Sequence, residues 1–216
     1  MKGKISAIIT AIAALTALLS SALVYEISFA APTLSSSEIA SAAVQKSPLE
    51  LIRATVDSII KVNIELSGAE NNERRRGKLR EIINPHFYFD EMAKRSLGAQ
   101  WQERNEDERK EFVQIFSNLL AKTYLGRIDT VKEQIIDYKG EKIDGDKAVV
   151  KTMVNHKGDK FPIDYRLLTQ NGHWGVYDIV IENVGLVANY RNEFAGIIRK
   201  EKFSGLMQRL KKKGAG

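Results

Sequence analysis

Cysteine is absent from the 216 residues, and histidine occurs only three times. Without cysteine there is no disulfide, no thiolate metal site and no thiol nucleophile. His86, His156 and His173 are scattered, and no pair has metal-ligand spacing, which argues against a zinc or iron centre. Other catalytic signatures are missing too. There is no G-x-S-x-G elbow, no phosphate-cradling glycine loop and no H-E-x-x-H. Internal repeats are absent, and low complexity is confined to one short polar linker, Pro32 to Ser37. Only one uncharged run is long, the 21 residues from Ile5 to Tyr25.

That run follows Lys2 and Lys4 and precedes Ser28 and Ala30, small residues at −3 and −1 of a cleavage after Ala30. The pattern is that of a secretory signal peptide over residues 1–30. A retained anchor is the competing reading, since about 20 apolar residues span a bilayer. Both put the remainder outside the cytoplasm, with the lysine pair on the inner side. Cleavage leaves 186 residues, enough for one domain with a real core and no disulfides. It also lowers the formal charge from +6 to +5. Two basic runs stand out, "RRRGK" at Arg74 to Lys78 and "RLKKK" at Arg209 to Lys213. No aromatic residues interleave with them, so nucleic acid is not the expected partner. A solvated face, anionic lipid headgroups or an acidic partner fits better.

After a linker and short helix over 31–46, the pattern turns helical. Ser47, Pro48 and Glu50 form a capping-box start. Ile52, Val56, Ile59 and Ile60 carry a helix to about Leu66. A polar turn opens a second, short helix, and Pro85 breaks the chain. Phe89 to Leu97 reads as a helix stopped by Gly98. Asn105 and Glu108 begin another, with a wide apolar stripe from Phe112 to Tyr124. Beyond about Thr130 the period changes to two. Four strands follow: "EQIIDYKGEKI", "KAVVKTMVNH", "FPIDYRLL" and "HWGVYDIVI". Asn171-Gly172 marks a tight hairpin between the last two. Helix returns from Leu186 to about Lys200 and again from Phe203 to Lys213. Helices, then a meander, then helices argue an α+β fold with helices on a curved four-stranded antiparallel sheet.

Alternation puts Ile163, Tyr165 and Leu167 on one face of the third strand. It groups Gly175, Tyr177, Ile179 and Ile181 on one face of the fourth, with Trp174, Val176 and Val180 opposite. Such faces and helix stripes fit a solid core or an apolar cavity, and a packed core is the default. Asp90, Asp178 and His173 are candidates for acid–base chemistry on a concave sheet. The structural reading competes. Asp90 opens a helix, where a carboxylate suits the dipole. Asp178 has Arg166 one hairpin away and Arg191 one turn into the next helix, a setting for paired charge.

The stretch "FYFDEMAKRSLGAQWQERNEDERKEFVQIFSNLLAKTY" resembles a hallmark of the MlaC family, also called toluene-tolerance proteins. Phe89, Asp90, Leu97, Gly98, Trp101, Phe112, Phe116, Leu119, Leu120 and Tyr124 carry it. Tyr165 to Leu167, Trp174 to Asp178 and "NYRNEF" at Asn189 to Phe194 form a second hallmark. The likeness covers about Ser47 to Lys212. One departure is "E-N-V-G" at Glu182 to Gly185, where the family often has Ser in the last position. Glycine is a weaker N-cap than serine.

The resemblance implies a nuclear-transport-factor-2-like curved sheet with a helical layer over 47–213 and an apolar pocket between them. It implies a monomeric, non-enzymatic periplasmic carrier. Its cargo is phospholipid, its cofactors none. Its partners are the lipid-exchange ring protein of an inner-membrane ABC transporter and an outer-membrane lipoprotein complex, with transient membrane-surface contact. Outer-membrane lipid asymmetry is the implied purpose. Few polar contacts to the headgroup are expected. With that family in view, a cavity becomes the expectation. Its lining is then expected from Ile163, Tyr165, Leu167, Tyr177 and Ile179 of the sheet and Leu97, Val113, Phe116, Leu120, Val187 and Tyr190 of the helices. Asp178, Arg166 and Arg191 are expected to lock the corner. A carrier of hopanoid or other isoprenoid lipid, and an enzyme of this sheet type using Asp178 or Asp90, are the alternatives.

Overall fold

The computed structural model describes residues 46–128, 135–156 and 158–215. The expected signal segment and most of the linker lie outside them. Among the described residues four α-helices come first: α1 (Pro48–Glu65), α2 (Asn72–Ile83), α3 (Phe89–Leu97) and α4 (Glu106–Ile128). Strands β1 (Ile135–Asp144), β2 (Lys147–His156), β3 (Asp159–Gln170), β4 (His173–Ile181) and β5 (Val184–Gly185) form one antiparallel meander in chain order. Helix α5 (Leu186–Ala215) closes the chain.

The helix starts follow from local chemistry. The Glu50 N–H donates to Ser47 Oγ at 3.2 Å, and the Ser47 N–H donates to Glu50 Oε2 at 2.8 Å. Asn105 and Glu108 make the same reciprocal pair at 2.9 and 3.0 Å. Each pair satisfies two donors that a helix N-terminus leaves without partners. The hairpin between β3 and β4 turns at Asn171 and Gly172, with φ of 51° and 78°. Both central residues are left-handed, as a two-residue type I′ turn requires.

Two bulges curve the sheet. One lies between Tyr138 and Gly140 in β1. The other skips Tyr177: Asp178 pairs with Arg166, but Val176 pairs with Leu167. A bulge bends its strand and shifts the alternation beyond it by one residue. Tyr165 opposite Ile179 and Ile163 opposite Ile181 keep the expected shared face. Below the bulge the expectation fails. Val176 joins Leu167 in the core against α1, while Tyr177 packs with the helices.

A fifth strand adds to the four read from the sequence. Glu182 and Asn183 both take positive φ, 48° and 65°, and turn the chain tightly so that Val184 pairs with Ile181. The last helix is broken at Lys202 (φ 61°, ψ 179°), where the sequence separates two helices. Lys213 Nζ lies 3.1 Å from Glu193. Twenty residues of straight helix span about 30 Å, so the final arm doubles back. It buries Phe203, Leu206, Met207 and Leu210 against the rest of the helical layer.

Candidate functional site: an apolar cavity

Three apolar clusters meet beneath the sheet. One joins α1 to β1–β4, one joins α3, α4 and α5, and a small one holds Ile59, Leu79 and Leu125. The junction is hollow. It encloses about 220 Å³ walled by Ile52, Thr55, Val56 and Ile59 of α1 and Ile83 of α2. Phe87, Phe89 and Met92 add to it from around the start of α3, and Leu120, Ala121, Tyr124, Leu125 and Ile128 from α4. Ile163, Tyr165, Ile179 and Ile181 form the sheet wall, and Leu186 the start of α5. Phe87 and Phe89 stack at 6.0 Å. Thr55 donates its hydroxyl to the Leu51 carbonyl at 2.7 Å, so it adds no free polarity.

Of the residues the sequence put on a lining, Leu120, Ile163, Tyr165 and Ile179 stand on this wall. Leu97, Phe116, Val187 and Tyr190 are buried among the helices, with Val113 and Tyr177 packed against them. Leu167 is fully buried in the core beside α1. The residues not singled out come mostly from α1, α2, the start of α3 and the second half of α4. Their signal was the stripe Ile52, Val56, Ile59, read only as a helix face.

Tyr165 is 3 % exposed, and its hydroxyl has no hydrogen-bond partner. Burial pushes its pKa well above the ordinary tyrosine value, with Tyr138 adding to the shift. A neutral hydroxyl held in apolar surroundings offers no base. Tyr138 is pushed up to about 12, chiefly by burial and then by Asp57, with Arg53 opposing.

Three polar residues of the wall lie on its exposed part. Arg80, Asn84 and Asn118 are all solvent-exposed, and among the described residues Arg80 is the one charged residue lining the cavity. They mark the mouth.

The charges at the end of β4 have structural work. Asp178 is 4 % exposed. Its Oδ1 accepts from the Val187 N–H at 3.0 Å, and its Oδ2 lies 3.4 Å from Arg166 Nη1. It therefore caps the N-terminus of α5, the task for which the chain lacks a serine at Gly185. A Cβ at Gly185 would sit 3.1 Å from Asp178 Oδ2, so the glycine lets the carboxylate come close. Arg191 turns away and donates from Nε to the Arg95 carbonyl at 2.7 Å, near the C-terminus of α3. Asp90 is exposed in the first turn of α3, and His173 is exposed at the start of β4. These three candidates for chemistry therefore do not converge. No cluster of three or more metal-ligating side chains occurs among the described residues.

A helix-covered curved sheet around an apolar chamber defines a class of α+β proteins built to enclose an apolar guest. The MlaC protein family model matches residues 53–212, and the chain belongs to that family. A curated relative, the intermembrane phospholipid transport system binding protein MlaC of Haemophilus influenzae, is 22 % identical over 138 residues. That alignment spans 61 % of this chain and 64 % of the relative. The fold is also similar to that of a phospholipid-binding protein from Ralstonia solanacearum, solved with a phospholipid bound. The two are 25 % identical with a TM-score of 0.70, covering 79 % of this chain and 98 % of that one.

Proposed function

We infer that the cavity holds the acyl chains of a phospholipid and that the protein carries such lipid through the periplasm between two membranes. One observation bears most of the weight. The pocket offers about 220 Å³ between walls that are mostly aliphatic and aromatic. Each CH₂ moved into it from water gains about 0.8 kcal/mol, which is large beside the roughly 5–15 kcal/mol that holds a whole domain. Leu120, Ile163, Tyr165 and Ile179 touch the tails, with Ile52, Val56 and Phe87 opposite. The residues packed among the helices stiffen the wall. The relatives support the reading: one is named for intermembrane phospholipid transport and the other was solved with a phospholipid.

The carrier exchanges cargo with the lipid-exchange ring protein of an inner-membrane ABC transporter and with an outer-membrane lipoprotein complex, preserving lipid asymmetry. It works as a monomer after removal of residues 1–30. Native mass spectrometry of the purified protein tests the reading. Phospholipid is expected in the wild type and is reduced in Ile179→Trp and Leu120→Trp, which fill the cavity while the far-ultraviolet circular dichroism stays unchanged. A wild type free of lipid after expression in a Gram-negative host sinks the proposal. Hopanoid in its place would keep the carrier and change the cargo.

A further inference from the structure

The mouth has a chemistry the apolar wall lacks. Helix α2 carries a run of basic residues, most of them engaged. Arg75 hydrogen-bonds the Gly68 carbonyl at 3.1 Å, Arg76 lies 3.5 Å from Glu73, and Lys78 lies 2.6 Å from Glu81. Arg80 differs. It is exposed and lines the cavity, and among the described residues no ion pair or hydrogen bond holds its guanidinium. Asn84 lies four residues on, so both side chains project from one face of the chain. Asn118 comes to the same cavity from α4. The side chains of both asparagines are likewise unengaged. An unneutralised cation and two amide donors thus edge a chamber that is otherwise mostly apolar.

We propose that Arg80, assisted by Asn84 and Asn118, holds the phosphate of the lipid whose tails fill the cavity. This rests on the cavity being the cargo site. A guanidinium presents a planar fork of N–H donors that matches two phosphate oxygens at once. The amides add neutral donors, which suit a phosphate and ignore the alcohol esterified to it. Selection is therefore for phosphate-bearing over phosphate-free lipid and is indifferent to headgroup identity. A lipid with a phosphate sits with its tails inward and its charge at Arg80, so the rim also fixes the direction of entry.

The test compares dioleoyl phosphatidic acid with dioleoylglycerol, identical in their tails, on delipidated full-length mature protein. Wild type is expected to bind the phosphatidic acid more tightly, by about 10- to 100-fold, the range for a hydrogen bond to a charged group. Arg80→Ala should lower phosphatidic acid affinity toward that of dioleoylglycerol, with an unchanged far-ultraviolet circular dichroism spectrum showing that the variant is folded. Arg80→Lys should keep part of it. Equal affinity of the wild type for both lipids overturns the role of Arg80 and leaves the carrier reading standing. So does equal loss of both lipids in Arg80→Ala. Inorganic phosphate alone should neither bind at millimolar concentration nor displace the lipid; if it does, the rim is a free-anion site and the proposal falls. If the wild type takes up neither lipid, the cavity reading itself fails.

Discussion

The helical core and the cavity are both apolar, and they share a wall at Met92 and Leu120, yet one is solid and the other hollow. In the core, rings fill space. Phe112 stacks on Phe116 at 5.7 Å, Phe194 meets both edge-on at 5.8 and 5.7 Å, and Tyr190 lies 5.2 Å from Phe116. Offset and edge-to-face rings interdigitate and leave little room. Around the cavity, branched aliphatic residues on a bulged, curved sheet face α1 and α4. Two surfaces of different curvature cannot meet flush, and the side chains at the gap are too short to close it. Ala121 and Thr55 are examples. Hydrophobicity alone therefore did not decide which region would be hollow. The fit of the surfaces did, for the cavity wall also carries rings: Phe87, Phe89, Tyr124 and Tyr165.

The difference predicts opposite responses. Phe194→Ala deletes a fully buried ring from the solid region and should cost about 3–5 kcal/mol in chemical denaturation. Lipid bound per folded molecule should stay constant. Removing the lipid from wild type should have the next largest effect, acting on the hollow region. A ligand present at about 100 times its Kd stabilises by roughly 2.7 kcal/mol, so delipidated protein should melt lower and recover on reloading. A Phe194→Ala variant that folds normally and sheds its lipid would reverse the assignment of the two regions.

Much of this was legible in the sequence. Periodicity, the two capping boxes and Asn171-Gly172 specify the helices, the meander and the order of layers. The break near Lys202 was also visible, because the apolar stripe restarts at Phe203. The cavity wall was legible only in part. Ile163, Tyr165 and Ile179 follow from alternation, but Tyr177 does not, because a bulge of one residue moves it to the other face and leaves no mark in composition. Phe116, Val187 and Tyr190 have the same helical spacing as true wall residues. Nothing in a stripe says whether the neighbour it meets is flush or curved. The fifth strand was hidden because Glu182 carries a side chain that rarely tolerates positive φ; only Asn183 hinted at a turn.

Asp178 sits on the far side of β4 from the cavity wall, and a substitution there should affect the scaffold alone. Asp178→Ala removes the acceptor for the Val187 N–H and should cost about 1–3 kcal/mol, since a buried donor loses its partner. Asp178→Asn retains an acceptor and should lose less. Both should keep bound lipid when measured below their melting transitions. Loss of cargo in a folded Asp178→Asn would place the charge in the carrier's mechanism.

The smallest effect concerns two tyrosines of the sheet, Tyr138 and Tyr165. Tyr138 has a folded pKa pushed up to about 12, and that of Tyr165 is raised further by complete burial. An unfolded tyrosine ionises near 10. Below that pH both states keep the proton, and the contribution is constant. Above it the unfolded chain releases the proton first and is favoured, so stability falls from about pH 10, and for Tyr138 through about pH 12. Tyr165→Phe removes a hydroxyl that has no partner, so at pH 7 it should be neutral or slightly stabilising. Between pH 10 and 11 its melting temperature should fall less steeply than that of wild type. Adding lipid should leave the wild-type slope unchanged, because the hydroxyl is already shut away from water. An alkaline slope that is shallow in delipidated wild type and steep in loaded protein would mean that the empty chamber admits water to Tyr165. The wall would then close on the hydroxyl only when a tail is present.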